Sequence, residues 1–358
     1  MPERTPQSPP SLTFVTEAAV TAQIEGSREE CVDLVRRAYL THDSGDSVNP
    51  QSGFLRFPDN PRARIISLPA HLGGEFGVAG LKWIASFPDN PRTHGIPRAS
   101  AVLLLNDPAT GYPAACLESS VISATRTAAS AVLAAQTLSG GRGARRIGIV
   151  GTGLIARHVW RFLRDLEWKT GGFTLYDLDP EAARAFGEEI TAEGAPEYSV
   201  ADEVGQAFTE CDLVVLTTVA GEPHIHDPRL LDHAPLVLHL SLRDLAPELV
   251  LAAQNITDDT DHALRERTSL HLAEQRRGDR DFVTGTLADV LAGRVEVDRS
   301  RPVVFSPFGL GVLDLAVGSW VLDRARAAGT GHTADDFFAS GAPTAGTAGN
   351  ASTTATTK

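Results

Sequence analysis

The sequence predicts an α/β protein in two parts: a doubly wound parallel sheet of the Rossmann type, and an α+β domain built on an antiparallel sheet that serves substrate binding and dimerisation. Three observations predict it. A short apolar strand (147–150) runs into Gly151-Thr152-Gly153-Leu154-Ile155-Ala156, a helix, and a second strand (173–176) that ends on Asp177. Beyond this unit, strand and helix patterns alternate, as a parallel sheet requires. Ahead of it, short strands follow one another with only turns between them, as in an antiparallel meander.

The glycine-rich unit has the spacing of a dinucleotide site. Gly151 permits the tight turn, Gly153 lets the backbone approach a pyrophosphate, and small Ala156 lets the helix pack on the strand. The helix then aims its free N–H groups, from Thr152 to Ile155, at the phosphates. Asp177, 24 residues past Gly153, is placed to accept hydrogen bonds from an adenosine ribose. Its charge repels a 2′-phosphate, and Leu178 and Asp179 offer no arginine to receive one, so the predicted cofactor is NAD. Asp179 before Pro180 reads as the N-cap of the next helix.

Taken in order, residues 11–41 show helical periodicity, broken at Gly26. Strands are predicted at 54–57, 63–68, 78–87, 99–106 and 112–118. The hexapeptide Phe-Pro-Asp-Asn-Pro-Arg occurs twice, at 57–62 and 87–92. The first copy reads as a hairpin loop and the second as the start of a longer loop. A small-residue helix spans 119–138 and is closed by Gly140 and Gly141. Strands at 147–150, 173–176, 213–218 and 236–240, helices from 154 and at 180–192, a strand at 303–305 and a helix at 310–327 complete the pattern. The predicted division is 1–128 with a returning helix at 310–329, a nucleotide domain at 129–309, and a disordered tail at 330–358, which has too few large apolar residues to offset its ordering entropy.

Composition narrows the function classes. A net charge of −13 argues against nucleic acid as a partner. No apolar run is long enough for a membrane span and the first residues carry no signal-peptide core, so a cytoplasmic location is predicted. The three cysteines, Cys31, Cys116 and Cys211, are odd in number and far apart, which suits neither a disulfide framework nor a metal site; Cys116 and Cys211 read as small core residues. Among 32 basic residues only Lys82, Lys169 and Lys358 are lysines. Lys82 alone lies in an alternating strand pattern. Lysine offers a compact charge and a pKa that burial can move, which arginine does not.

The run Lys82-Trp83-Ile84-Ala85-Ser86-Phe87-Pro88-Asp89-Asn90, the motif Arg126-Thr127-Ala128-Ala129-Ser130, the Gly151 unit and the loop Phe305-Ser306-Pro307-Phe308-Gly309 together resemble the ornithine cyclodeaminase/μ-crystallin family. The resemblance covers about residues 12–328. It implies a homodimer built on the meander domain and an amino-acid substrate. Position by position, it implies that Arg56, Lys82 and Arg126 hold the amino-acid carboxylate, that Asp244 faces the reacting carbon, and that Arg126, Thr127, Thr218, Ser241, Ser306 and Gly309 lie along the cofactor. Gly95-Ile96-Pro97-Arg98-Ala99-Ser100-Ala101, Gly111-Tyr112-Pro113 and Ser241-Leu242-Arg243-Asp244-Leu245 resemble the branch that oxidises N-(2-amino-2-carboxyethyl)-L-glutamate to 2,3-diaminopropionate and 2-oxoglutarate, a supply reaction for siderophores or antibiotics. Cyclodeaminases carry Gly-Gly-Asp where this chain has Leu242-Arg243-Asp244. The family also contains ornithine cyclodeaminases, alanine dehydrogenases, cyclic imine reductases and a non-catalytic NAD(P)H-dependent binding protein, which remain alternatives.

Each candidate also has a plainer role. Arg56 at a strand end fits a solvated edge residue, Arg126 could cap a neighbouring loop, Lys82 could snorkel, and Asp244 could cap the helix after Leu245. Arg98 and Arg243 add positive charge where a substrate with several carboxylates needs it.

Overall fold

A computed structural model describes residues 10–338. The chain opens with β1 (Leu12–Val15), α1 (Glu17–Ile24) and α2 (Arg28–Asp43), where periodicity alone predicts helix throughout. Thr16 ends the strand and caps α1, its side chain accepting from the Ala19 N–H, and Gly26 at φ 72° breaks α1 from α2. Then come β2 (Ser47–Val48), β3 (Gly53–Phe57), β4 (Asn60–Leu72), β5 (Val78–Ser86), α3 (Asn90–His94), β6 (Ala99–Asn106) and β7 (Pro113–Glu118). The first hexapeptide copy turns β3 into β4 and the second leads into α3. From β4 to β7 the strands form the predicted meander, but β1 pairs parallel to β7, so the sheet is mixed.

Helix α4 (Ser120–Ser139) carries the chain towards the second sheet and ends on Gly140 at φ 78°. There follow β8 (Gly143–Ala144), β9 (Ile147–Val150), α5 (Leu154–Asp165), β10 (Lys169–Thr170), β11 (Phe173–Tyr176), α6 (Pro180–Ala192), β12 (Tyr198–Val200), β13 (Leu213–Leu216) and β14 (Leu236–His239). The chain continues through α7 (Pro247–Ala252), β15 (Gln254–Thr257), α8 (Thr260–Ala263), α9 (Ser269–Arg277), β16 (Val283–Thr286), α10 (Leu287–Leu291), β17 (Val303–Phe305), α11 (Gly311–Ala327) and β18 (His332–Ala334). The second sheet is wholly parallel, in the order β12-β11-β9-β13-β14-β17-β15-β16. The order of strand addition reverses at β9, and in such sheets ligands bind at the strand carboxyl ends beside that reversal. Strands β12, β15 and β16 escaped the sequence pattern, because buried β15 lacks the alternation that marks half-exposed strands and the edge strands β12 and β16, at three and four residues, are too short to display it.

Helix α11 returns to the first sheet and packs on β4, β5 and β6. The chain then adds β18 antiparallel to β1, inside the stretch predicted to be disordered. Edge pairing orders it through backbone hydrogen bonds, a contribution that a side-chain burial argument omits. The rest of the predicted tail, 339–358, lies outside the described residues. Cys116 is also only half-buried, because it sits on the sheet face that no helix covers. Among the described residues no helix is long and apolar enough to cross a membrane.

Candidate active site

The loop after β9 is built for close approach. Gly151 stands at φ 85°, and a Cβ there would lie 3.0 Å from backbone atoms of Thr217 and Thr218, so both conformation and space demand glycine. A Cβ at Gly153 would meet nothing, so the loop faces open space at the start of α5, whose N-terminal N–H groups have no side-chain cap. Asp177 Oδ2 accepts from Thr152 N–H (2.8 Å) and from the Thr152 hydroxyl (3.0 Å), which fixes the acid at the loop's edge. Arg157, the arginine nearest this loop in the chain, is committed to Glu189 (2.7 Å) and to the Thr152 carbonyl. These features fit an adenine dinucleotide without a 2′-phosphate. Ser241 Oγ is buried near this sheet edge with no partner among the described residues.

Lys82 is 2% exposed on the inner face of β5. Its Nζ donates to Asp314 Oδ2 (2.6 Å) and Ser123 Oγ (3.3 Å), which overturns a snorkelling role. Asp314 is fully buried in the first turn of α11, where the helix dipole favours a negative charge, and its Oδ1 accepts from Arg126 Nε (3.3 Å). One acid thus sits between two cations, and the triad carries net positive charge. Burial, with Arg126 adding to it and Asp314 opposing, brings the Lys82 ammonium down to about 8. Arg126 turns its Nη atoms to Gly309, which stands at φ 97° and where a Cβ would lie 2.8 Å from Nη1. The Thr127 hydroxyl is spent on the Ser123 carbonyl (2.7 Å).

The Ser306–Gly309 loop links this triad to Asp244. Buried Asp258 accepts from the N–H groups of Asp259 (2.9 Å), Phe308 (2.8 Å) and Gly309 (2.6 Å) and so holds the loop's shape. Ser306 Oγ meets His239 Nδ1 (3.1 Å), and His239 Nε2 accepts from the Asp244 N–H (3.1 Å). Those two bonds put the His239 proton on Nδ1, and burial holds the ring down at about 4, so it is neutral at physiological pH. Asp244 Oδ1 accepts from the Thr218 hydroxyl and from His224 Nε2 (2.8 Å), while its Oδ2 is buried without a partner among the described residues. The N-cap of α7 is Ala246, so Asp244 is not a capping residue. Leu242, in the left-handed region at φ 75°, makes the turn that delivers Asp244.

A row of guanidinium groups borders the junction of the two sheets. Arg56 and Arg64 are directly opposite each other on β3 and β4, and Arg64 opposes Ser86, which accepts from Arg98 Nη1 (2.7 Å). Arg64, Ser86 and Lys82 share one sheet face by strand alternation. Arg56 pairs with Glu266 (2.8 Å) and lies over the Phe54 ring, and Arg243 Nη2 donates to the Glu266 carbonyl (2.6 Å). Like charges opposite one another are unfavourable, and Arg64 has no ion-pair partner among the described residues. Burial and neighbouring arginines pull Arg64, Arg98 and Arg243 below the ordinary guanidinium range. A narrow crevice lined by Ser52, Phe54, His262, Arg265, Glu266 and Phe308 opens beside this row.

Arg64, Asp314, His224, His239 and Asp258 were missed from sequence. Asp314 had a signal, a lone acid in the apolar run 310–317, but its partner lies 232 residues away. Arg64 could have been found from its even spacing with Ser86 only once the β4–β5 register was known.

A doubly wound dinucleotide-binding sheet, a mixed-sheet domain closed by the returning α11, and a lysine–aspartate–arginine triad between them define the class. The family model for the ornithine cyclodeaminase/mu-crystallin family matches residues 13–329, and the chain belongs to that family. It is 29% identical over 312 residues to the N-((2S)-2-amino-2-carboxyethyl)-L-glutamate dehydrogenase of Staphylococcus aureus, covering 84% of this chain and 92% of that one. Among solved structures it is similar to CmnK (TM-score 0.82, 29% identity, 92% of this chain and 100% of that one). An archaeal alanine dehydrogenase dimer with bound NAD aligns with TM-score 0.81 at 25% identity, over 92% of this chain and 100% of that one.

Proposed function

We propose that the protein is an NAD-dependent dehydrogenase that oxidises N-(2-amino-2-carboxyethyl)-L-glutamate, yielding 2,3-diaminopropionate and 2-oxoglutarate. The observation that carries this reading is the row Arg56, Arg64, Arg98 and Arg243 beyond the Lys82–Asp314–Arg126 triad. The triad suits one carboxylate, and the row suits the additional carboxylates of a tricarboxylate substrate. Ornithine would instead bring its distal ammonium to those cations. The similarity to the staphylococcal dehydrogenase supports the same substrate.

NAD, when bound, would supply the hydride acceptor for the glutamate-derived α-carbon. Lys82 and the Nη fork of Arg126 hold the adjacent carboxylate and orient that carbon. Asp244 takes the proton of the secondary amine and releases it to solvent, then takes a proton of the water that adds to the resulting imine and gives it to the leaving nitrogen, whereupon the carbinolamine separates into the keto acid and the amine. One proton leaves per turnover, since ammonium, NAD and water become a keto acid, a primary ammonium, NADH and H⁺. Gly151–Ile155, Asp177, Thr218, Ser241, Ser306 and Gly309 are the residues that would hold the dinucleotide.

The dimer forms through the uncovered face of the first sheet. Trp83, 40% exposed, opposes Val102 across β5 and β6, and Phe14 opposes half-buried Cys116, giving an apolar surface. The reaction is tested by supplying NAD with N-(2-amino-2-carboxyethyl)-L-glutamate, L-alanine or L-ornithine. NADH and 2-oxoglutarate in equal amounts from the first is expected. Ammonia release from ornithine without net NADH would replace this proposal with a cyclodeaminase.

A further inference from the structure

The loop between α8 and α9 has a shape its residues do not favour. Glu266 and Arg267 follow one another in the left-handed region, at φ 54° and 55°, and neither is glycine. Hydrogen bonds impose that shape. The Thr268 N–H donates to the Arg265 carbonyl (3.0 Å), the Ser269 N–H to the Leu242 carbonyl (2.8 Å), and Arg243 Nη2 to the Glu266 carbonyl (2.6 Å). The last two tie the loop to the turn that delivers Asp244. The outcome is one carboxylate set among the guanidinium groups. Glu266 Oε2 accepts from Arg56 Nη2 (2.8 Å), whereas Oε1 has no partner among the described residues. Burial and the charges of Arg64, Arg56 and Arg267 disfavour the Arg243 cation, and Glu266 opposes them. Arg56 and Glu266 are 56% and 29% exposed, and an ion pair that open contributes too little to account for a strained loop. Glu266 also lines the crevice beside the row, together with Phe54, over whose ring Arg56 lies.

An acid in a pocket for carboxylates weakens binding unless the ligand brings a cation to it. N-(2-amino-2-carboxyethyl)-L-glutamate brings one, because the arm beyond its bridging nitrogen ends in a primary ammonium beside a carboxylate. We propose that Glu266 is the specificity-determining residue for that arm, accepting from the primary ammonium while Arg56 binds the carboxylate next to it. The assignment rests on the proposed substrate. With the glutamate α-carboxylate at the Lys82–Asp314–Arg126 triad and the bridging nitrogen at Asp244, the arm leaves along the turn 242–244, to which Arg243 fastens Glu266. The glutamate side-chain carboxylate then falls to Arg64 and Arg98, which have no ion-pair partner among the described residues.

The test compares N-(2-amino-2-carboxyethyl)-L-glutamate with N-(2-carboxyethyl)-L-glutamate, which lacks only the primary amine. The wild type is expected to favour the first in kcat/KM by about tenfold or more, since removing the ammonium leaves Glu266 unpaired against the substrate. Glu266→Gln keeps the side-chain size and removes the charge. It is expected to raise KM about tenfold or more for the first compound and to change it less than about twofold for the second, with NAD binding unaltered as the check on folding. Glu266→Asp, which keeps the charge, is expected to retain part of the preference. An equal loss on both compounds in Glu266→Gln would mean that Glu266 only positions Arg56, and overturns the assignment. Equal use of both compounds by the wild type also overturns it, while leaving the proposed function standing. Oxidation of neither by the wild type fails the proposed function, and the assignment falls with it.

Discussion

At the scale of single residues, Asp314 explains how a lysine can be buried at all. Lys82 and Arg126 both lean on it, and a buried cation deprived of its partner costs about 3–5 kcal/mol. Asp314→Asn should therefore lower unfolding free energy by about that amount in urea titrations, beyond any loss of activity. The same burial sets a pH dependence. Lys82 carries its charge below about 8 and sheds it above, so KM for a carboxylate substrate should rise as pH passes about 8, while KM for NAD stays flat. Asp244→Asn should leave NAD binding, followed by fluorescence titration, unchanged and abolish turnover. Lys82 was legible in the sequence as a rare residue type in a strand pattern. Its partner was not, because periodicity describes a residue's own element and says nothing of what packs on it from 232 residues away.

Among elements, the glycine loop after β9 was the most legible, since turn geometry and close approach impose local chemistry that tertiary context cannot waive. Gly151→Ala should abolish NAD binding, because a Cβ meets the Thr217 and Thr218 backbone and the φ is left-handed. The meander was legible for the same reason, with period-two alternation and turn residues at each end. The reach of Arg98 and Arg243 is an element-scale question, since both sit where a strand meets a loop. Replacing either by Ala should raise KM for N-(2-amino-2-carboxyethyl)-L-glutamate about tenfold or more, each carrying a charge-assisted carboxylate contact. Unchanged kinetics in both variants would remove them from the site. What the pattern could not give was the arginine row, which exists only after β3, β4 and β5 are in register.

For the whole molecule, the two sheets do different work and leave different surfaces. The parallel sheet is covered on both faces, whereas the first sheet is covered on one by α2, α4 and α11. Its open face keeps Trp83 and Val102 partly exposed, and charge placed there should prevent self-association. Trp83→Asp is expected to sediment as a monomer where the wild type sediments as a dimer; an unchanged sedimentation coefficient would place the interface elsewhere.

The return of α11 has a consequence for biosynthesis. Strand β5 emerges from the ribosome early, but the helix that supplies Asp314 comes more than two hundred residues later, after the entire parallel sheet. Until then Lys82 lacks its Asp314 counter-ion and the inner face of the first sheet lacks one of the three helices that cover it. The early domain is completed only when the late one is finished, so the nascent chain carries a partly covered apolar sheet until α11 emerges and depends on the speed, or the chaperoning, of everything between.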